Sequence, residues 1–314
     1  MADADTSVWN DAPSVLIFGN DARGRDRSAA LAAGVGARVI GAEPLGLALD
    51  RLARQVAVDA VLIELDEWTD DDSAVLLDWA AAAVREHFTS VVIAFPAPLL
   101  DRVVARIDEP GVDLLCAASA EDRVTALAFA LVKRRFRLHD HGAEPDAERL
   151  RRLSEEVARI AHALSDLAGG SRMPPQAPPA PGQEPVGPPL EAETVRAMIR
   201  LRRLRGQFLD PALFADPAWD MLLDLMAARL DGNRVAVSSL CIAASVPPTT
   251  ALRWIRSMTE QGVFVRRLDP GDGRRVFIEL SDTAAAAMTA WFAEARELGW
   301  RPGPGAAEEP GEPG

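Results

Sequence analysis

The sequence has few of the residues that form disulfides or hold metals. Its two cysteines, Cys116 and Cys241, both lie inside apolar runs, which argues against a disulfide framework and favours a reducing compartment. Only four histidines are present. The pair at His139 and His141 has no cysteine nearby, so two solvated histidines are favoured over metal ligands. We expect no bound metal.

Apolar runs of membrane length are also missing. No N-terminal apolar segment has the length of a signal peptide, and no apolar run approaches the roughly 18 residues of a transmembrane helix. With 48% hydrophobic and 26% charged residues, the composition is that of a globular chain. These features predict a cytoplasmic protein without membrane association.

Patterns typical of enzymes are missing as well. No nucleophile, base and acid are spaced in a way that suggests catalysis. Gly34 and Gly36 lack the third glycine of a dinucleotide-binding loop. The acidic run at Asp70, Asp71 and Asp72 directly precedes a predicted helix, where acids usually cap the helix rather than bind a cation. We expect neither an enzymatic activity nor a cofactor.

Negative charge is distributed unevenly along the chain. The formal net charge is −13, with acids exceeding bases by ten in residues 1–145 and balancing them in residues 190–300. Residues 229–275 hold eight arginines against four acids, a composition suited to phosphate. The acidic N-terminal part is repelled by DNA and is expected to meet a protein partner.

The first 137 residues alternate short apolar runs with amphipathic helical segments. Strands of a buried parallel sheet appear as nearly continuous apolar runs, and their alternation with helices predicts one doubly wound α/β domain with five parallel strands. The predicted strands are 15–18, 37–40, 58–65, 90–95 and 112–117, and the predicted helices are 27–33, 45–54, 73–86, 99–107 and 120–137.

This order resembles the receiver domain of two-component response regulators over about residues 13–137. The resemblance implies an acidic pair for magnesium after the first strand, a phosphate-accepting aspartate ending the third, a hydroxyl after the fourth and a lysine after the fifth. In the favoured register these positions hold Gly19 and Asn20, Glu64, Phe95 and Ala117. Glutamate does not form the same aspartyl phosphate, and without the acid pair magnesium loses most of its ligands.

Two functions remain open for this domain. The favoured one is a degenerate, non-phosphorylated receiver-like module that serves dimerisation or partner docking. A register two residues later places Asp66 at the phosphate position, with Asp21 supplying one acid. That register leaves a phosphorylation-switched response regulator as the alternative.

The segment between the two predicted domains has two parts. In residues 138–170, apolar side chains recur at spacings of 3, 4, 3, 4 and 3, which favours a coiled-coil helix over one packed on its own domain. Proline dominates residues 171–189 and predicts an extended linker. The coiled-coil seam consists of Leu150, Leu153, Val157, Ile160, Leu164 and Leu167.

Residues 190–300 are predicted to form a second domain, followed by a disordered tail over residues 301–314. The domain begins with an amphipathic helix from Leu190, whose apolar stripe favours packing over phosphate contact. A helix with Ser238 or Ser239 as N-cap follows and ends near Ser245. The next helix spans about residues 247–261, and Gly262 is placed to end it in a left-handed conformation.

The helix at 247–261 has two chemically different faces. Its core face is predicted to hold Leu252, Ile255 and Met258, because these residues recur at a spacing of three. The opposite face is available to a partner and is predicted to hold Thr249, Arg253, Arg256 and Glu260.

A β-hairpin with an arginine-rich tip is predicted next. The β-prone runs VFVRRL and RVFIEL flank the loop DPGDGR, as a hairpin requires. The alternation predicts that one strand face carries Val263, Val265 and Leu268, opposite Arg266 and Arg267. Arg274 and Arg275 stand at the tip.

The helix pair and hairpin together resemble the DNA-binding core of the MarR family of transcriptional regulators. The matching features are a glycine closing the recognition helix, an arginine pair on the first wing strand, an aspartate and an arginine at the wing tip, and a serine opening the next helix. The resemblance covers roughly residues 211–300 and implies a dimeric winged helix-turn-helix domain. The two prolines that open the recognition helix depart from the family's pattern.

The predicted function is a sequence-specific, DNA-binding transcriptional regulator that acts as a homodimer on double-stranded DNA. An adaptor whose winged helix binds protein is a further alternative. Thr249, Thr250 and Arg253 are predicted to enter a major groove. The arginines predicted to contact phosphate are Arg256, Arg266 and Arg267, and those predicted to reach the minor groove are Arg274 and Arg275.

Overall fold

The computed structural model describes residues 12–55, 57–140, 189–210, 214–269 and 271–301. The predicted coiled-coil seam, residues 171–188 of the linker and residues 302–314 of the tail lie outside the described residues. Contacts divide the chain into two compact units. The first unit covers Met1–Phe95 and Glu109–Gln176, and the second covers Pro96–Asp108 and Ala177–Gly314.

The first unit contains a five-stranded parallel sheet with the strand order β2-β1-β3-β4-β5, so the predicted doubly wound sheet is confirmed. Its strands are β1 Ser14–Gly19, β2 Arg38–Pro44, β3 Ala60–Glu64, β4 Ser90–Phe95 and β5 Asp113–Cys116. Its helices are α1 Ala22–Gly34, α2 Ala48–Ala53, α3 Asp70–Arg85 and α5 Ala120–Asp140, and a 3-10 turn at Leu45–Leu47 precedes α2.

The burial of the strands in the sheet explains which of them could be predicted from the sequence. Strands β1, β3 and β4 are buried on both faces along their whole lengths, and most of their residues are apolar. The edge strand β2 contains only half-buried and exposed residues and extends four residues beyond the predicted 37–40 segment. Its second half contains Gly41, Glu43 and Pro44, which edge strands tolerate because one side of the strand is unpaired.

The second unit combines helices with a small antiparallel sheet of strand order β6-β8-β7. Its strands are β6 Val235–Ala236, β7 Phe264–Leu268 and β8 Val276–Leu280. Its helices are α4 Leu100–Arg106, α6 Ala192–Leu204, α7 Pro217–Leu230, α8 Val237–Ala243, α9 Pro248–Glu260 and α10 Asp282–Glu297, with 3-10 turns at Ala97–Leu99 and Arg205–Gln207.

Helix α9 is amphipathic in the predicted sense. Leu252, Ile255 and Met258 are buried, which confirms its core face. Gly262 has a φ of 70°, and the amide of Val263 donates to the carbonyl of Met258 at 2.9 Å, so the helix ends in the predicted left-handed turn.

Two local predictions in this unit were wrong. Helix α8 begins at Val237, and neither Ser238 nor Ser239 caps it. The predicted inner face of the hairpin is also wrong, because Phe264 is buried whereas Val263 and Val265 are only half-buried. The prediction counted the alternation from Val263, and a shift of one residue moves every side chain to the other face. Leu268 lies on the same face as Phe264 but is 63% exposed at the end of the strand.

Within the described ranges, no helix is both long enough and apolar enough to cross a membrane.

Candidate nucleic-acid interface

Helix α9 presents a mixed outward face. Arg253 is exposed, and Thr250 and Arg256 are half-buried. Among the described residues, no carboxylate forms an ion pair with Arg253. The predicted outward position of Thr249 is wrong, because this residue is only 7% exposed. It stands one turn before Leu252 on the same side of the helix, and α9 therefore offers Thr250, Arg253 and Arg256 to a partner.

The outer face of the hairpin carries a second arginine. The side chain of Arg267 is 63% exposed, and its Nε lies 3.6 Å from Oε2 of Glu279. An exposed ion pair of this length contributes little free energy. Arg267 is therefore able to exchange its carboxylate for another anion. Nearby, the guanidinium carbon of Arg234 lies 5.5 Å from the ring centroid of Phe277 on the neighbouring strand β8.

The loop between β7 and β8 displays Arg274 and Arg275. Its acids bind backbone amides: Asp269 accepts from Gly271 at 2.9 Å, and Asp272 accepts from Arg274 at 3.1 Å. Arg275 Nε lies 3.7 Å from Asp272, and the side chain of Arg274 has no ion pair with another residue of the described ranges. Both acids therefore bind backbone amides, and both arginines remain exposed.

Arg266 occupies a different environment from its neighbour Arg267. It shares the inner face of the hairpin with Phe264 and pairs in register with Ile278, and its side chain is 16% exposed. Its guanidinium binds the carboxylate of Asp108 and the carbonyls of Val104 and Ile107. The prediction of Arg266 as an open phosphate contact does not describe this conformation.

Ser238 lies in the first turn of α8, and the sequence prediction assigned it only to helix capping. Its amide and its hydroxyl both donate to the carboxylate of Asp101, at 3.0 and 2.6 Å. No sequence signal identifies this pairing, because the two residues are 137 positions apart. Two donor positions of the second unit, Ser238 and Arg266, thus hold carboxylate oxygens.

In the first unit, the position that the receiver resemblance assigns to the phosphate acceptor holds the buried carboxylate of Glu64. This side chain is 4% exposed and lies 3.3 Å from Nη2 of Arg123, while Ser28 Oγ donates to its Oε1 at 2.5 Å. Burial raises the pKa of Glu64 above the ordinary value of 4.5, and the Ser28 hydrogen bond and the charge of Arg123 partly oppose that rise.

The residues around Glu64 do not fit the magnesium ion that the receiver resemblance implies. Both carboxylate oxygens of Glu64 already bind protein groups, and Asn20 supplies an amide in place of an acid. Among the described residues, no group of three or more histidine, cysteine, aspartate or glutamate side chains could hold a metal ion. Phe95 and Ala117 stand where the resemblance implies a hydroxyl and a lysine. The residues of the favoured register therefore do not supply the chemistry of a phosphorylated receiver.

No protein-family model matches the chain, and no curated protein matches it. Solved structures similar to the chain include a response regulator receiver domain protein of Clostridium thermocellum, with 16% identity and a TM-score of 0.34. The alignment covers 40% of this chain and 98% of the Clostridium chain. A mutant of MepR from S. aureus is 14% identical, with a TM-score of 0.24 and coverage of 33% of this chain and 69% of its own. BpsR of Bordetella bronchiseptica, whose DNA binding is regulated by 6-hydroxynicotinic acid, is 20% identical, with a TM-score of 0.21 and coverage of 34% and 83%. Similarity at these levels says nothing about what this chain binds.

Proposed function

We propose that this protein is a sequence-specific, DNA-binding regulator of transcription, and that its second unit works as a winged helix-turn-helix. The observation that supports this proposal is a set of exposed arginines on one helix and one hairpin of an otherwise acidic chain. These residues are Arg253, Arg267, Arg274 and Arg275. Guanidinium groups bind phosphate and guanine through several donors, so this surface suits duplex DNA.

Helix α9 is the proposed recognition helix. Arg253 is exposed on its outward face and would donate to O6 and N7 of a guanine in the major groove. Thr250 would meet a base edge or a phosphate, and Arg256 would contact the backbone. Thr249 has no proposed contact with DNA, because its burial gives it a packing role.

The hairpin is the proposed wing. Arg274 and Arg275 at its tip would enter or border the minor groove, while Arg267 would exchange its weak pair with Glu279 for a phosphate. The hydrogen bonds from the amides of Gly271 and Arg274 to Asp269 and Asp272 support this role, since they engage both acids with the backbone beside the two exposed arginines.

The protein is proposed to act as a homodimer without enzymatic activity. Two winged domains related by a two-fold axis would read a two-fold symmetric site. The receiver-like unit would serve dimerisation or the docking of a protein partner without phosphorylation. The support for this part is the Glu64 carboxylate, which stands at the acceptor position and is already bound by Ser28 and Arg123.

Selection of bound duplexes from a random DNA pool tests the proposal, followed by affinity measurements on the selected sequence at two salt concentrations. We expect a two-fold symmetric sequence. If Arg256, Arg267, Arg274 and Arg275 of each protomer each neutralise one phosphate, log affinity should fall against log salt with a slope of about −3.6 per protomer. Failure to select any duplex, or binding without salt dependence, would favour a winged helix that binds protein instead.

A further inference from the structure

Two carboxylates of the segment Pro96–Asp108 bind donors on α8 and β7, two elements of the unit that is proposed to bind DNA. Asp101, on α4, accepts from the amide and the hydroxyl of Ser238, and Asp108 pairs with Arg266. All four residues belong to the second compact unit. The contacts therefore join α4 and the residue just beyond it to α8 and β7 within one unit.

Ser238 and Arg266 are donors of the kind that binds phosphate in protein–DNA complexes. Serine hydroxyls, backbone amides and arginine side chains supply many of the hydrogen bonds to phosphate oxygens. A carboxylate and a phosphate both present anionic oxygens to such donors, so a position that holds one can hold the other. In this conformation aspartate occupies both positions, and at Arg266 it is joined by the carbonyls of Val104 and Ile107.

We infer that Asp101 and Asp108 are intramolecular phosphate mimics, and that Ser238 and Arg266 are two further phosphate-binding positions that DNA reaches only by displacing them. The inference rests on the proposed function, since it requires that this surface binds DNA. It adds Ser238 to the interface and makes the segment Pro96–Asp108 a built-in competitor of DNA.

Helix α4 lies against α8 and β8, and apolar packing accompanies its polar contacts. Leu100, Val103, Val104 and Ile107 are all buried, so the aspartates are held near their donors without needing strong polar bonds. The Asp108 side chain is 81% exposed, and an ion pair with such an exposed partner is weak. A polyanion that also gains entropy from released counterions can therefore compete for Arg266.

The test uses the full chain and two double variants. In Asp101→Ala/Asp108→Ala both mimics are removed. In the control, Glu109→Ala/Glu121→Ala, the same negative charge is removed from the first unit, where Glu109 lies 3.3 Å from Arg85. We expect the first variant to bind the selected duplex about three- to tenfold more tightly than wild type, because a larger fraction of its molecules has Ser238 and Arg266 free to bind DNA. The control should bind as wild type does.

The amide of Ser238 gives a second readout by hydrogen exchange. We expect it to exchange faster in Asp101→Ala than in wild type, and to become protected again when duplex DNA is added. The single variant Asp108→Asn, which keeps the side-chain shape, should bind DNA more tightly than wild type even if the double variant does not fold.

The outcomes separate this inference from the proposed function. Salt-dependent DNA binding by wild type, with no gain in Asp101→Ala/Asp108→Ala or Asp108→Asn beyond the control, overturns the inference and leaves the proposed function standing. An amide of Ser238 that DNA does not protect overturns it for that position. Absence of DNA binding by wild type and by all variants overturns both.

Discussion

Arg266 and Arg267 are adjacent in the sequence but lie on opposite faces of β7. The side chain of Arg266 is 16% exposed and binds Asp108, whereas that of Arg267 is 63% exposed and lies beside Glu279. The difference follows from the two-residue period of a strand. Two residues of the same type are therefore expected to affect DNA binding differently.

Arg267→Ala should weaken binding to all duplexes alike and lower the magnitude of the salt slope by about one, because one phosphate contact is lost. Arg266→Ala should weaken binding less in wild type, where DNA must first displace Asp108, than in an Asp108→Ala background. Fluorescence anisotropy on the four members of this mutant cycle measures the coupling. Equal effects of Arg266→Ala in both backgrounds would contradict the prediction.

Arg253→Ala tests the proposed recognition helix. Loss of a bidentate contact to guanine should cost about 1–3 kcal/mol of binding free energy and relax the preference at one position of each half-site. Arg274→Ala is the matched control, since removal of a wing-tip charge should weaken selected and random duplexes similarly. If Arg253→Ala kept both the affinity and the preference of wild type, α9 would not be the reading helix.

How much of the molecule could be predicted differed between its two units. The strands of the parallel sheet were found because both of their faces are buried, which leaves continuous apolar runs in the sequence. The phase of β7 was missed because Val263, Phe264 and Val265 are all β-prone, and pattern alone does not decide which of them faces inward. The partners of Ser238 and Arg266 lie 137 and 158 positions away, so they depend on tertiary packing that local patterns do not contain.

Glu64 should make the stability of the first unit depend on pH. A carboxyl whose folded pKa lies above its ordinary 4.5 binds its proton more tightly in the folded state. It therefore contributes stability at low pH that is lost as pH rises from about 4.5 through the raised pKa. We expect Glu64→Gln to flatten this part of the profile of unfolding free energy against pH. An unchanged profile would contradict the assignment of this dependence to Glu64.

Ser28→Ala removes a hydrogen bond to that carboxylate and should raise the pKa of Glu64 further. We expect a loss of about 1.5–3 kcal/mol of unfolding free energy at neutral pH, with a smaller loss at low pH, where the carboxyl is neutral. Ser90→Ala is the control, because Ser90 Oγ donates to the uncharged carbonyl of Ala130 at 3.0 Å. Its cost should be about 1 kcal/mol and independent of pH. Denaturant titrations of both variants at several pH values measure the difference.

The receiver-like unit should not accept phosphate. With Glu64 already bound by Ser28 and Arg123 and no fitting magnesium site among the described residues, incubation with a small phosphodonor and magnesium should leave the intact mass unchanged. Stoichiometric labelling that disappears in Asp66→Asn would instead establish the phosphorylation-switched alternative.

The turn that connects α9 to the hairpin should depend on Gly262 through its backbone alone. A Cβ at Gly262 would meet no atom within 4 Å, yet the residue has a φ of 70°. Gly262→Ala should therefore cost about 1–2 kcal/mol of unfolding free energy, which is the penalty for a left-handed conformation in a residue with a Cβ. At Gly273 a Cβ would also meet nothing within 4 Å, and φ there is not positive. Gly273→Ala should therefore leave stability unchanged or raise it slightly. Equal melting temperatures for the two variants would contradict the predicted cost of the left-handed conformation at Gly262.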